Sequence, residues 1–184
     1  MKKGKVIVIS GKKRVGKDTV ASILEEIISV KGKNHCRLAL AGRIKRMLAE
    51  LTGNGTDYLD DNKEAPLFNN NLTPRDMYRK IGDLIRDNLG QNYLVDQVIS
   101  NCNKLSLYYD YILITDMRYL HEYEELKKIN PIFIRVKKNI EGDTHSSEVD
   151  LDNLADSNFD YVIENKGNVK ELEEKLRTLF HGKL

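Results

Sequence analysis

The chain has almost no charge excess: 30 basic side chains stand against 28 acidic ones, for a formal net charge of +2. That balance excludes a protein whose main task is to coat nucleic acid, while leaving room for a local basic cleft. No apolar run could cross a bilayer; the longest, such as Val6–Ile9, fall far short of the roughly 20 residues that a spanning helix needs. A secretory leader is not expected, because Gly11 opens a polar loop before an apolar region of that kind reaches length. Cys36 and Cys102 are too few for a disulfide framework and lack metal-ligand spacing, so reduced thiols and a cytoplasmic location are expected. Four scattered histidines offer no zinc site. Internal repeats and low-complexity tracts are missing too.

What is present is an alternation of short apolar strands with amphipathic helices, the pattern of a parallel sheet wrapped by helices. Lys5–Ser10 reads as a buried first strand, followed by a helix from about Lys17 to Val30. Cys36–Ala41 reads as strand two, with a helix over Ile44–Leu51 behind it. The stretch 53–72 is rich in Gly, Asn and Asp, lacks periodicity and reads as a long functional loop. Thr73, Pro74 and Asp76 open a helix that Gly90 ends, and another helix is expected over Tyr93–Asn103. Tyr111–Thr115 is the third strand, with a helix near His121–Lys128 and a fourth strand over Pro131–Val136. After an irregular polar segment, Phe159–Ile163 makes the last strand. Asn168 and Glu171 cap a final helix whose Val169, Leu172, Leu176 and Leu179 are expected to face inward. At 184 residues, five strands and their crossovers make one α/β domain.

The strongest chemical signal is Gly11-Lys12-Lys13-Arg14-Val15-Gly16-Lys17, most of a Walker A pattern between a strand and a helix. Its glycines let the backbone N–H groups of Lys13, Arg14, Val15 and Gly16 turn toward one anion, and the helix N-terminus adds partial positive charge. Lys17 would reach the β- and γ-phosphates of a nucleotide. Asp18 stands where Ser or Thr normally binds magnesium, and Thr19 comes one residue late. Asp18, through water or near the acceptor, and Thr19 are both open as the loop's contribution to the metal.

Tyr111–Asp116 is an apolar strand ending in an acid, a pattern that can hold magnesium directly or through a water. On the Thr73–Gly90 helix, Arg75, Arg79 and Arg86 share a stripe, while Met77, Ile81 and Leu84 fall on roughly the opposite one. Gly82 lies on the arginine side, where it would let a ligand approach the backbone. Tyr58, Phe68, Tyr78 and Tyr93 are candidates to stack a base. Asn165-Lys166-Gly167-Asn168 falls short of a guanine-recognition motif, which needs a carboxylate where Asn168 stands.

The segment ISGKKRVGKDTVA resembles the phosphate loop of the deoxynucleoside monophosphate kinases of tailed bacteriophages. TPRDMYRKIGDLIRD and ITDMRYLHEYEELK resemble two further segments of that family, in the same order. Animal-type phosphomevalonate kinases share the GKD loop and are the competing relatives. The resemblance implies a three-layer P-loop NTPase fold with a five-stranded parallel sheet, similar to that of nucleoside monophosphate kinases. It further implies a helical acceptor-binding lobe at about 42–105 and a lid-like segment at about 137–158. In the family the Asp116-x-Arg118-x-x-x-Glu122 stretch lies at the acceptor site, so Arg118 would grip the monophosphate with Glu122 nearby. Of the cluster Arg43, Lys45 and Arg46, the resemblance favours Lys45. It assigns Arg75 and Arg86 to the acceptor, Arg135 near the lid to the transferring phosphoryl group, and Asn165 and Gly167 to the loop that packs the donor adenine. The run Thr144–Glu148, with His145, also resembles the relatives.

These readings converge on a kinase that moves the γ-phosphoryl group of ATP, with Mg2+, to a deoxynucleoside 5′-monophosphate. Lys17, Asp18, Asp116 and Arg118 are the expected catalytic residues. The alternatives are a kinase for another phosphorylated small molecule, such as phosphomevalonate, and an ATP-dependent switch or assembly factor. Expected partners are small-molecule nucleotides, with no stable nucleic-acid binding, no membrane, and a homodimer left open. If the source is a phage, the location is the host cytoplasm.

Overall fold

The run Val6–Ile9 is buried on both sides, as in a strand covered by helices on each face. It forms the core of β1 (Lys5–Ser10), the middle strand of the sheet in a computed structural model that describes residues 3–67, 70–138 and 150–184. β1 pairs in parallel with β3 (Tyr111–Met117) on one side and β4 (Ile132–Lys137) on the other. β2 (His35–Leu38) pairs with β3, and β5 (Tyr161–Glu164) with β4, both also in parallel. The order is therefore β2-β3-β1-β4-β5, the five-stranded parallel sheet expected from the sequence, and its two outer strands are only four residues long.

The helices are α1 (Lys17–Val30), α2 (Gly42–Thr52), α3 (Thr56–Asp61), α4 (Pro74–Leu89), α5 (Tyr93–Leu105), α6 (Leu120–Lys127) and α7 (Val169–Leu179). None among the described residues is long and apolar enough to cross a membrane. The chain divides into two compact units: one holds the residues up to Ala39 and from Val98 on, the other Leu40–Gln97. In the first unit, Val20, Leu24 and Ile28 of α1 meet Leu172 and Leu176 of α7 and Phe180, closing one face of the sheet. In the second, Ile44 and Leu48 of α2 pack with Leu59 of α3, Ile81 and Ile85 of α4, and Leu94.

Several expectations are corrected. The stretch 53–72 contains α3, a helix of six residues whose one buried side chain, Leu59, leaves no period to detect. β2 ends at Leu38, three residues before the expected boundary, and β5 starts at Tyr161 rather than Phe159. Asp116 lies inside β3 rather than after it. On α4 the inward residue is Ile85, and Leu84 is exposed; both stand one helical turn from Ile81, and packing against α2 selects the second. Val169 is exposed because the first turn of α7 precedes the buried pair Leu172 and Leu176.

Candidate active site

The loop from β1 to α1 needs unusual backbone angles, and the sequence supplies residues that accept them. Gly11 has φ 151°, and a Cβ there would fall 2.4 Å from the Val136 carbonyl oxygen. Gly16, the N-cap of α1, has φ 99°, and between them Arg14 adopts φ 62°. Runs of this kind turn successive N–H groups into a concavity for an anion. Lys17 lies under that loop, nearly buried, and its ammonium donates to the Gly11 and Lys12 carbonyls at 2.7 Å each. Its charge is therefore held at the centre of the loop.

β3 reaches the same place with an irregularity. Val8 pairs with Ile114 and Ser10 with Met117, so two steps along β1 match three along β3. The bulge falls at Thr115 and Asp116, and such bulges re-aim a side chain at a strand end. Asp116 is partly exposed there, while the Ser10 hydroxyl donates to the Met117 carbonyl at 3.2 Å and ties the two strand ends together.

A cavity of about 470 Å³ opens at these ends, beside Gly11, Lys12, Val15 and Met117. Its lining carries six cationic side chains (Lys12, Arg118, Arg135, Lys137, Lys138, Lys166) and two carboxylates (Asp152, Glu164), so it suits a polyanion. Arg118 is placed by Glu122. The buried Glu122 carboxylate accepts from the backbone N–H groups of Arg118 at 2.8 Å and Tyr119 at 3.0 Å, capping α6.

Arg135 anchors the wall. Its guanidinium donates to the carbonyls of Leu154 (2.7 Å) and Leu151 (2.8 Å) and to Asp156 (2.9 Å), and stacks 4.2 Å from the Phe159 ring centre. Lys137 also reaches Asp156, and these two bonds, that of Lys137 first, hold its carboxyl below the usual range. Lys12 pairs with Asp152 at 2.8 Å. The Asn165 side chain donates to the Val15 carbonyl at 2.9 Å. The Asn168 side chain accepts from the Glu171 N–H and caps α7, and the Glu171 carboxylate folds back over Gly167.

The two loop candidates for the metal part ways. Asp18 is 86% exposed and stands 3.9 Å from the Arg37 guanidinium, whereas Thr19 is half-buried in the first turn of α1. Thr144–Glu148, with His145, and Phe68 lie outside the described residues.

The remaining expected residues belong to the second unit. Lys45 donates to Asp60 at 2.6 Å, and the Tyr78 hydroxyl donates to the other oxygen of the same carboxylate at 3.3 Å. Burial, followed by the Asp60 charge, pushes the Tyr78 hydroxyl up to about 12. Arg75 pairs with Glu64 at 2.8 Å, and Arg86 with Asp83 at 2.7 Å. The Arg86 guanidinium lies across Gly82, whose missing Cβ would sit 3.1 Å from it. The space read from the sequence as room for a ligand is thus taken by this chain's own arginine. Arg79 is half-buried, Arg43 donates to Gln97 and Arg46 is exposed. Tyr58 is exposed and Tyr93 packs on the helical core. Asp60 and Glu64 were not singled out in the sequence, because their partners Lys45 and Arg75 stand 15 and 11 positions away in other helices and leave no local signal.

Comparison with known proteins bears on this geometry. A family model described as deoxynucleotide monophosphate kinase matches residues 5–71 and 58–176. No curated protein matches the chain. Among solved structures, a point mutant of APS kinase from Mycobacterium tuberculosis is similar with a TM-score of 0.53 at 10% identity, over 98% of this chain and 99% of that one. The same enzyme in complex with AMPPNP and APS is similar with a TM-score of 0.50 at 10% identity, again over 98% and 99% of the chains. At that identity the likeness is one of fold, that of a P-loop kinase.

Proposed function

This chain belongs to the deoxynucleotide monophosphate kinase family, and from that premise we propose that it transfers the γ-phosphoryl group of ATP to a deoxynucleoside 5′-monophosphate. The observation that carries the reading is the cationic cavity beside the phosphate loop, with the Lys17 ammonium held at the loop's centre. The phosphate oxygen of the acceptor attacks the γ-phosphorus, the bond to the β–γ bridging oxygen breaks, and ADP leaves with that electron pair. The attacking oxygen is already anionic at neutral pH, so no strong base is required, and positioning with charge neutralisation carries the rate.

In this reading the N–H groups of residues 11–17 and the Lys17 ammonium hold the donor phosphates. The loop at Asn165 and Gly167 borders the donor. Arg118, positioned by Glu122, neutralises the acceptor phosphate, and the same role is proposed for Lys45, Arg75 and Arg86 of the second unit. Arg135, bound to 151–156, shapes the cavity wall rather than reaching freely for the nucleotide.

The described residues include no group of three or more His, Cys, Asp or Glu able to hold a metal by themselves. Magnesium in such enzymes takes one or two protein oxygens and completes its shell with phosphates and waters. The Asp116 carboxylate on the bulged end of β3 fits that need, with Asp18 or Thr19 as the candidate for a second oxygen. When bound, the ion would neutralise charge on the phosphates.

The test is an ADP-release assay with each deoxy- and ribonucleoside monophosphate and with phosphomevalonate. Turnover is expected with deoxynucleoside monophosphates, and Lys17→Ala should lower kcat/KM by about 10²–10³-fold. Turnover with phosphomevalonate alone, or steady ATP hydrolysis that ignores every acceptor, would reject the proposed substrate.

A further inference from the structure

The residue after the last strand, Asn165, reaches the phosphate loop with its side chain. The Asn165 N–H donates to the Lys137 carbonyl at 2.7 Å, which extends the β4–β5 ladder by one bond and fixes the backbone of Asn165 to the sheet. Its side-chain nitrogen donates to the Val15 carbonyl at 2.9 Å, across 150 positions of sequence. A carbonyl can only accept, so the amide must face it with Nδ2. The same nitrogen stands 2.6 Å from where a Cβ of Gly16 would be, so only glycine permits this approach, and Gly16 at φ 99° is in a region that favours glycine.

The described peptides are all trans, and across a trans peptide the C=O and N–H point in opposite directions. A Val15 carbonyl drawn toward Asn165 therefore turns the Gly16 N–H the other way. We propose that Asn165 is a positioning residue for the phosphate loop: by holding the Val15 carbonyl, it aims the Gly16 N–H at the donor's phosphates. Without that donor the Val15–Gly16 peptide can rotate and present an oxygen to the anion, replacing attraction with repulsion. The inference rests on the phosphate-donor reading above, and differs from the adenine-packing role that the family resemblance implies for Asn165.

Tripolyphosphate separates the two roles, since it offers phosphates and no base. Calorimetric titration of the full chain, with magnesium, is expected to show that Asn165→Ala weakens ATP and tripolyphosphate alike by about tenfold. The acceptor KM should stay within about twofold of its original value, because the change leaves acceptor binding untouched. Asn165→His, which keeps an N–H donor at similar reach, should bind both ligands within about threefold of the original chain. Loss of ATP affinity with tripolyphosphate unchanged would overturn the positioning role in favour of a base contact, and unchanged binding of both would overturn it outright. Should Asn165→Ala fail to fold, Asn165→Leu supplies similar volume without a donor; equal binding by the Leu and His variants would refute the inference, and weaker binding by Leu would support it. A wild-type chain that binds neither ligand, or a Lys17→Ala chain that binds both undiminished, would reject the phosphate site itself and the inference with it.

Discussion

Glu122 shows how much local order can hang on one side chain. Its carboxylate is buried and accepts two backbone N–H groups, those of Arg118 and Tyr119. Removing it leaves both amides without that acceptor, at a cost of about 1–3 kcal/mol. For a chain of this size Glu122→Ala should lower Tm by roughly 3–10 °C. In a calorimetric scan, a Tm within one degree of the parent would contradict the capping role. The two thiols make a second residue-scale prediction. Burial, then the nearby Cys36, pushes the Cys102 thiol up to about 11, and burial raises that of Cys36 as well. Thiolate is the reactive form, so raised values mean slow labelling near neutral pH that accelerates as pH climbs. A chromogenic disulfide reagent at pH 8 should titrate both thiols at once only in denaturant; immediate labelling of two thiols in the native chain would refute this.

At the scale of the element, α4 is the most informative. Thr73 and Asp76 form a reciprocal capping box: the Thr73 hydroxyl accepts the Asp76 N–H, and Asp76 accepts from the Thr73 N–H and hydroxyl. The Thr73 hydroxyl first, then its N–H, holds the Asp76 carboxyl below its ordinary value. With a depressed folded value, this stabilisation is complete above the unfolded carboxylate range near about pH 4 and vanishes as pH falls through the lower folded value. Thr73→Ala should cost about 0.5–2 kcal/mol at pH 7. Asp76→Asn should also destabilise at pH 7, and its deficit should shrink below about pH 4, seen by circular dichroism. A deficit constant from pH 7 to pH 3 would exclude this account. Gly82→Ala tests the same helix from inside. The new methyl gains up to about 1 kcal/mol of helix propensity, and its close neighbours, at 3.1 and 3.3 Å, are the flexible ends of Arg86 and Ile44. The expected result is an unchanged or slightly higher Tm with a raised acceptor KM, because the Arg86 guanidinium must shift. A lower Tm with an unchanged acceptor KM would defeat it.

These elements also mark where sequence reading succeeds and stops. β1, α1, α4 and the fully parallel sheet were legible because continuous apolar runs, caps and glycines act locally. The phosphate loop was legible for the same reason. The choice between Leu84 and Ile85 was not, because either completes a turn from Ile81 and only the facing helix decides. α3 was too short to carry a period. The hold of Asn165 on Val15 joins residues 150 positions apart, and the pairing of Asp60 with Lys45 depends on α3 being present; neither leaves a local trace.

For the whole molecule, cohesion differs between the two units, each taken by itself. β1 and β3 are sealed within the sheet, while the helical unit packs around a smaller cluster of six buried apolar side chains. Regions with fewer buried contacts open at lower free energy. Hydrogen exchange followed by mass spectrometry should find the amides of β1 and β3 slowest and those of α3 among the fastest helical ones. Equal protection of α3 and β3 would overturn that ranking.

The four-residue outer strands have a consequence for behaviour in concentrated solution. An exposed sheet edge is a template on which another chain can lay a strand, and proteins blunt it with short edges and charge. β2 offers His35–Leu38, with Arg37 bound to Glu25, and β5 offers Tyr161–Glu164, followed by the Glu164–Lys166 pair. Neither edge is long enough or apolar enough to recruit a neighbour. Self-association through growing sheets is therefore disfavoured by the same topology that brings the middle strand to the phosphate loop.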